Sequence, residues 1–485
     1  MGALHNLIEK HVLTLDNCLD FDRITGKRLV DWFTPLVNSF TEDGAIPYLL
    51  NTKDRYRASP LSSLIVWLNM ANLLPKEATD ILFNKLIHLR DNCEFRDLDK
   101  GVTQKNYGDE MGWSLCEGVS VWSTSMALMA ILGSNYGIDQ TKVNKIKKSI
   151  LWLVRQQNST KKGWAYQSYR NCQVNVPMTA LALYALSLAY AQRRHFNFRG
   201  DETNLLLSAI SQGFEYLNDN CKANNKKGHC YWEFNGKFSC FATTWSLMAI
   251  RKISQLDTPI SDTAKENFYD IKVKCFDCIL SNMPKNYVCW ESELFVYEAG
   301  AKYNKQKNYY SFTPTLLLLL MDLGLSPYHP KVINQIRWLI HNPSQWKITQ
   351  YDQENICSFT YAMCVATIVK WLQCVSYVNS DLINEKSNKV YDLIVGMPPM
   401  REQPVILLKK SRLWHLGVVA VIICIAWVGG PYVFEKIKQA IMCISKLRDG
   451  IMIDLITTAI CSAIVYVITR IFSFLRNIYG KKYDK

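Results

Sequence analysis

The stretch that decides the fold is EMGWSLCEGVSVWSTSMALMAILG, Glu110 to Gly133. It opens with a Gly-Trp turn at Gly112 and Trp113 and continues through a short polar segment holding Glu117 and Gly118. A helix follows in which small and large residues interleave, as at Thr124, Ala127, Leu128, Ala130 and Ile131. A surface helix keeps a polar face; this one is apolar nearly all round and is expected to be buried on every side.

The same design recurs. Ala58–Leu74, Asn175–Ala191, Phe238–Ile253, Tyr310–Leu325 and Cys357–Leu372 are further apolar helical runs opening near a Ser or Thr, whose hydroxyl is a plausible N-cap. Tryptophan turns at Trp113, Trp164, Trp232, Trp290 and Trp346 stand before most of them, and DGAIPYLL, around Gly44, takes that place in the first unit. The turns recur every ~50–70 residues, longer than the helix pairs of the short solenoids. Amphipathic helices such as Thr141–Gln157, Thr203–Tyr216 and Val332–His341 alternate with the apolar ones. Six pairs, one helix wet and one dry, predict two concentric rings with the apolar helices inside. An open solenoid would leave both helices of a pair more exposed.

The chain has 485 residues, 49% of them hydrophobic and 12% aromatic, with a formal charge of +14. That basic excess fits an anionic surface, and lipid explains it more economically than nucleic acid. Lys142, Lys145, Lys147 and Lys148 follow an outer-helix face and read as solvated. The start MGALHNLIEK carries no basic segment leading into an apolar run, so the 16 cysteines are expected to be reduced and mostly buried.

Gln156, Gly163 and Trp164, followed by Thr179, Ala180, Ala182, Leu183, Ala185 and Leu186, resemble the repeats of the α/α toroids of terpenoid cyclases and protein prenyltransferases. The resemblance covers roughly 31–380. It implies an all-α fold, an (α/α)6 toroid of six helix pairs, here followed by two transmembrane helices. It also implies working residues at the inner-helix starts, facing a central cavity. Carried onto this chain, they are Glu110, Trp113, Glu117, Trp164, Tyr166, Trp232, Glu233, Trp290, Glu291, Glu293, Trp346 and Asp352. Aromatic faces there would stabilise a cation, and carboxylates would serve as acid or base. The competing reading makes each tryptophan a wedge between helices and each glutamate a partner for a helix N-terminus.

The family's decisive motifs are missing. Asp97-Leu98-Asp99-Lys100 lacks the third acid of the cyclase Asp-x-Asp-Asp, and no Asp, Cys and His set matches the zinc site of the prenyltransferases. Cys275-Phe-Asp-Cys278, with Cys289 further on, is one Cys-x-x-Cys and weak evidence for metal. No cofactor and no metal are expected.

The character changes after Val395. Residues 1–395 read as the toroid, and 396–412, with three prolines, as a linker. Leu413–Phe434 and Ile451–Leu475 are each long and apolar enough to cross a bilayer, so 413–475 reads as a transmembrane hairpin before a basic tail, 476–485. Asp454 and Arg470 are its polar residues; Arg470 reads as snorkelling. The expected partner is the lipid membrane, with the large domain cytoplasmic, self-association through the hairpin allowed, and no nucleic acid. Three functions follow as expectations. The first is a membrane sensor or effector binding a hydrophobic ligand or partner in the cavity. The second is a membrane-tethered isoprenoid or lipid enzyme, and the third is a pore-forming effector.

Overall fold

Ser120, Asn175 and Ser239 each stand in extended backbone and accept, through the side chain, the N–H three residues on. These N-caps start the apolar helices α6 (Val121–Gly133), α8 (Val176–Ala191) and α10 (Cys240–Ser254). With α4 (Ala58–Met70), α12 (Thr313–Asp322) and α14 (Ser358–Tyr377) they make the inner set. Each inner helix packs on the next in chain order, and α14 packs back on α4, so the six close into a ring.

The computed structural model describes 3–19, 21–50, 58–91, 94–97, 102–105, 112–113, 119–134, 140–166, 173–224, 228–283, 294–296, 307–309, 313–346 and 356–377. The chain divides into two compact units, Met1–Pro399 and Met400–Lys485. All described residues lie in the first. The expected linker, both expected membrane spans, the basic tail, Asp454 and Arg470 lie outside them.

The outer helices are α3 (Leu29–Val37), α5 (Lys76–Asp91), α7 (Gln140–Arg155), α9 (Gly200–Asp219), α11 (Pro259–Asn282) and α13 (Pro330–His341). In α7, Val143, Ile146, Ile150, Leu153 and Val154 are buried on one stripe while Lys142, Lys145 and Lys148 stay outside the core. The lysines of α7 do more than meet solvent: Lys145 pairs with Asp91 of α5 at 2.5 Å and Lys147 with Glu202 of α9 at 2.6 Å. Pairs near the surface are worth ~0–1 kcal/mol each, so the rings are held by the apolar stripe. Before them, α1 (Ala3–Leu19) packs against α3 and α5, with the short α2 (Phe21–Thr25) following it.

The seam that closes the ring joins residues some three hundred apart. Leu50 N–H donates to Ile356 O at 2.9 Å, Ser358 N–H to Tyr48 O at 3.0 Å and Ser358 Oγ to Pro47 O at 2.7 Å. Tyr361 Oη donates to Trp32 O at 2.8 Å, and Trp346 lies against both Trp32 and Tyr361 with ring centroids 5.0 and 5.3 Å away. A solenoid has no such contact between its ends.

The fold is mostly helical, and among the described residues short strands join it in the connections. Three small antiparallel sheets occupy outer-to-inner connections: β1 (Glu94–Asp97) with β2 (Val102–Lys105), β3 (Cys221–Asn224) with β4 (His229–Phe234) and β5 (Lys237–Phe238), and β6 (Leu294–Val296) with β7 (Lys307–Tyr309). These connections are long, and pairing satisfies backbone groups that a long loop over a core leaves exposed. Among the described residues one helix, at Ser358–Val375, is apolar and long enough to cross a membrane. It is the inner helix α14, mostly buried in the ring.

Candidate functional site

Three of the tryptophan turns, at Trp113, Trp164 and Trp232, are three-way clasps. Trp164 N–H donates to Thr179 Oγ1 at 3.0 Å, its indole Nε1 donates to Leu153 O at 2.8 Å, and Asn175 N–H donates to Trp164 O at 3.1 Å. Trp113 repeats this with Thr124 (2.9 Å), Leu86 (2.8 Å) and Ser120 (3.2 Å). Trp232 repeats it with Thr243 (3.0 Å), Leu217 (2.7 Å) and Ser239 (3.1 Å). The indole thus hydrogen-bonds a carbonyl near the end of the outer helix, and the backbone pins the first turn of the inner one. The threonine stands four residues after the cap in all three, so its hydroxyl reaches back over the first turn. Gly112 and Gly163 precede the tryptophan because a Cβ there would come within 2.2 and 2.7 Å of the threonine hydroxyl. Trp346 Nε1 bonds Leu339 O at 3.2 Å in the same manner. Beside Gln156, Gln157 also ties the repeat: its Nε2 donates to Lys162 O at 2.8 Å and to Ala209 O of α9 at 3.0 Å.

Trp113, Trp164, Trp232 and Trp346, placed by the sequence among cavity-lining candidates, are therefore buried between helices, with no indole N–H left for a ligand. Tyr166 and Glu233 are half-buried just beyond their clasps, and Tyr166 O accepts the N–H of Val121 at 3.0 Å. Glu110, Glu117, Trp290, Glu291, Glu293 and Asp352 lie outside the described residues, in the connections leading to α6, α12 and α14.

The axis of the ring is filled by aromatic side chains. Trp67 on α4 and Trp245 on α10 belong to opposite members of the ring, yet their centroids are 6.1 Å apart. Tyr184 of α8 meets Trp245 edge-on at 6.0 Å. Nearer the inner-helix starts, Trp122 of α6 stacks on Phe241 of α10 at 6.0 Å, across the position of α8. The central hydrophobic cavity expected from the resemblance is occupied, at this level, by the protein itself. Midway along an apolar helix, Trp67 and Trp245 differ in sequence from no other core residue, so nothing flagged them.

Two faces remain. The face where inner helices start, the mouth, carries Tyr48, Trp122, Tyr166 and Phe359 as half-buried aromatics, with Tyr48 and Phe359 5.9 Å apart. Asn175 and Glu233 are its half-buried polar groups nearest the helix starts. The opposite face holds a charged cluster. Arg251 Nη1 donates to Asp322 Oδ2 at 2.9 Å and to Asp322 O at 2.7 Å, and Lys370 Nζ to Asp322 Oδ1 at 3.3 Å. Lys252 Nζ lies over the Tyr184 ring, 5.8 Å from its centroid. Burial, then the neighbouring Arg251, lowers the Lys252 ammonium's pKa, while burial and the Asp322 charge raise that of the Tyr184 phenol. Inner-helix C-termini converge here, and cations answer their partial negative charge. Gln192 Nε2 to Leu132 O (2.7 Å) and Gln373 Nε2 to Ala71 O (2.8 Å) stitch neighbouring inner helices at the same level as Arg251. The cluster is structural in geometry, a set of C-terminal caps. Among the described residues no group of His, Cys, Asp and Glu is placed to hold a metal ion.

The site and the closed ring define an α/α toroid. No family model and no curated protein matches the sequence. Solved structures similar to the chain include a family 76 glycoside hydrolase from a bovine Bacteroides thetaiotaomicron strain (TM-score 0.46, 10% identity, 74% of this chain and 78% of that one). Also similar are the family 76 α-1,6-mannanase of Salegentibacter sp. HEL1_6 (0.41, 11%, 71% and 98%) and a family 76 mannosidase of Bacteroides thetaiotaomicron VPI-5482 (0.44, 9%, 74% and 99%). At these identities and scores, neither reaction nor substrate transfers to this chain. The terpenoid-cyclase and prenyltransferase assignment narrows to the toroid alone. The three expected functions, sensor or effector, lipid enzyme and pore former, are corrected: the axis meant to hold an apolar ligand is filled by Trp67 and Trp245.

Proposed function

We propose that the toroid is a carbohydrate-active domain that takes a polyhydroxylated chain across the mouth where its inner helices begin. The observation that carries this reading is the Trp67–Trp245 contact at 6.1 Å, which leaves a ligand the mouth and not a bore. A long apolar ligand needs a deep pocket to bury its surface. A glycan is served by shallow aromatic faces with hydrogen-bonding groups around them. Tyr48, Trp122, Tyr166 and Phe359 supply such faces, and Glu233 and Asn175 supply polar groups. Hydrolysis of a glycosidic bond needs two carboxyl groups on either side of it. Glu233 is one candidate; Glu110, Glu117, Glu291, Glu293 and Asp352 are the others that the sequence assigns to inner-helix starts.

The test is calorimetric titration of the full chain with a panel of neutral oligosaccharides, alongside an assay for new reducing ends. Binding by wild type, weakened about tenfold (~1.4 kcal/mol) in Tyr48→Ala and Trp122→Ala, is expected. Glu233→Gln should keep binding and lose any hydrolysis. A folded wild-type ring that binds none of the panel sinks the proposal.

The finer parts of the sequence reading stay proposals. Length and hydropathy of Leu413–Phe434 and Ile451–Leu475 support a lipid anchor, and thiol usage supports a cytoplasmic ring. Carbonate extraction and protease protection of membranes test both. Kinship with terpenoid cyclases rests on the Gln156–Gly163–Trp164 turn and the Thr179 helix.

A further inference from the structure

Five cysteines surround the hairpin between α9 and α10. Cys221 stands on β3, Cys230 on β4, Cys240 opens α10, and Cys275 and Cys278 lie on α11. Cys221 and Cys230 are half-buried free thiols, and the other three cysteines are buried. The register of β3 and β4 pairs Cys221 with Trp232 and Ala223 with Cys230. Side chains alternate between faces along a strand, so Cys221, Cys230 and Trp232 share one face, the two cysteines as a diagonal pair. Beyond the effect of burial, Cys230 is near enough to Cys221 to raise the Cys221 thiol's pKa electrostatically.

We propose that Cys221 and Cys230 form a reversible disulfide, made by exchange with a low-molecular-weight disulfide, that re-tensions the hairpin carrying Trp232 and Glu233. The Cys230 thiolate attacks one sulfur of the small disulfide and releases one small thiolate. The Cys221 thiolate then displaces the second, so one disulfide is reduced as the other forms, and the two protons leave with the departing thiols. Lys274 of α11, held by Asp270 at 2.5 Å, places its positive charge within electrostatic reach of Cys230. Burial, then the neighbouring Cys230, pushes the Cys221 thiol up to about 12, which suits the slower, resolving role. Diagonal strand neighbours stand ~7–8 Å apart, beyond what a disulfide bridges without backbone movement, so closing the bond draws the strands together. A bond formed under such tension is readily reduced, which fits exchange in a reducing compartment. Trp232 faces Cys221 directly and Glu233 follows it, so the pull is delivered to a clasp and to a polar group of the mouth.

The experiment treats the folded full chain with glutathione disulfide, quenches with acid, alkylates free thiols and maps the peptides. A peptide joining Cys221 to Cys230 is expected, lost on adding dithiothreitol. C221S should stop at the mixed disulfide of glutathione with Cys230, and C221A provides the same arrest if the serine variant folds poorly. Amide exchange around Trp232 should change about tenfold on oxidation in wild type and not in C221S. Singly alkylated Cys221 and Cys230 after oxidation, a link from Cys221 to Cys275 instead, or a stoichiometric zinc that shields both thiols would each overturn the proposal.

Discussion

Trp164 and Thr179 are joined by a hydrogen bond of 3.0 Å from the tryptophan's backbone N–H to the threonine hydroxyl, which itself donates to Asn175 O at 2.9 Å. The tryptophan N–H has no water to turn to, since both residues are fully buried. Thr179→Val keeps the shape and removes the acceptor. A buried donor left unsatisfied costs ~1–3 kcal/mol. Chemical denaturation should show that loss in Thr179→Val and most of it recovered in Thr179→Ser; equal stability of the two would mean the clasp contributes only packing.

Gly163→Ala is expected to destabilise by a different route. Its Cβ would meet Val174 Cγ1 at 2.6 Å and Thr179 Oγ1 at 2.7 Å, both on side chains that are packed. Overpacking of this kind costs ~1–3 kcal/mol. Gly200, the first residue of α9, has nothing within 4 Å of the position a methyl would take, so Gly200→Ala should be neutral or stabilising by ~0.5–1 kcal/mol. The pair of melting temperatures, moving in opposite directions, is the check.

Truncation at the axis should open what the aromatic column closes. Trp245→Ala removes the partner of Trp67, Tyr184 and Phe241 together. A large-to-small change in a core costs ~3–5 kcal/mol when the site cannot collapse. Added indole should restore part of the lost melting temperature in Trp245→Ala and leave wild type unmoved. Rescue of neither would show that the ring collapses inward.

The start of α13 should report pH. His329 is its N-cap, with Nδ1 accepting the Lys331 N–H at 3.2 Å, which only an unprotonated Nδ1 can do. Burial, then the Lys331 charge, lowers its folded pKa below the usual 6.5. A depressed folded value means the unfolded chain binds the proton more readily. The cap's stability is therefore fully present above pH 6.5 and is lost as pH falls through the folded value. A cap is worth ~0.5–2 kcal/mol. His329→Asn, which caps without titrating, should flatten the melting profile between neutral and mildly acid pH.

Much of the ring was legible in particular residues. The Ser or Thr expected at the start of the apolar runs is a cap at Ser239, and Ser120 caps α6 in the same way; α8 is capped instead by Asn175. The outer helices were legible from their stripes, as in Val143, Ile146 and Ile150 of α7, although α7 ends at Arg155, α9 extends to Asp219 and α13 begins at Pro330. The mouth was harder. Gly-Trp turns mark inner-helix starts in sequence, which drew Trp113, Trp164, Trp232 and Trp346 into the candidate lining. Which way an indole points is set by the acceptor it finds, and the nearest acceptor is a carbonyl of the preceding helix. Asp322, Arg251 and Lys370 come from three helices and carry no local signature, so their meeting was invisible until the helix ends were placed.

Local chemistry by itself determined the units: caps, apolar and striped periodicities, and glycines before tryptophans follow from contacts within a repeat. Two matters depended on residues far apart in the chain, and only the tertiary structure decided them. Closure of the ring rests on Ser358 reaching Pro47 and Tyr48, and on Tyr361 reaching Trp32. The state of the axis rests on Trp67 and Trp245 arriving from opposite walls. The physical reason is the same in both: an all-round apolar helix states that it is buried, and only packing states against what.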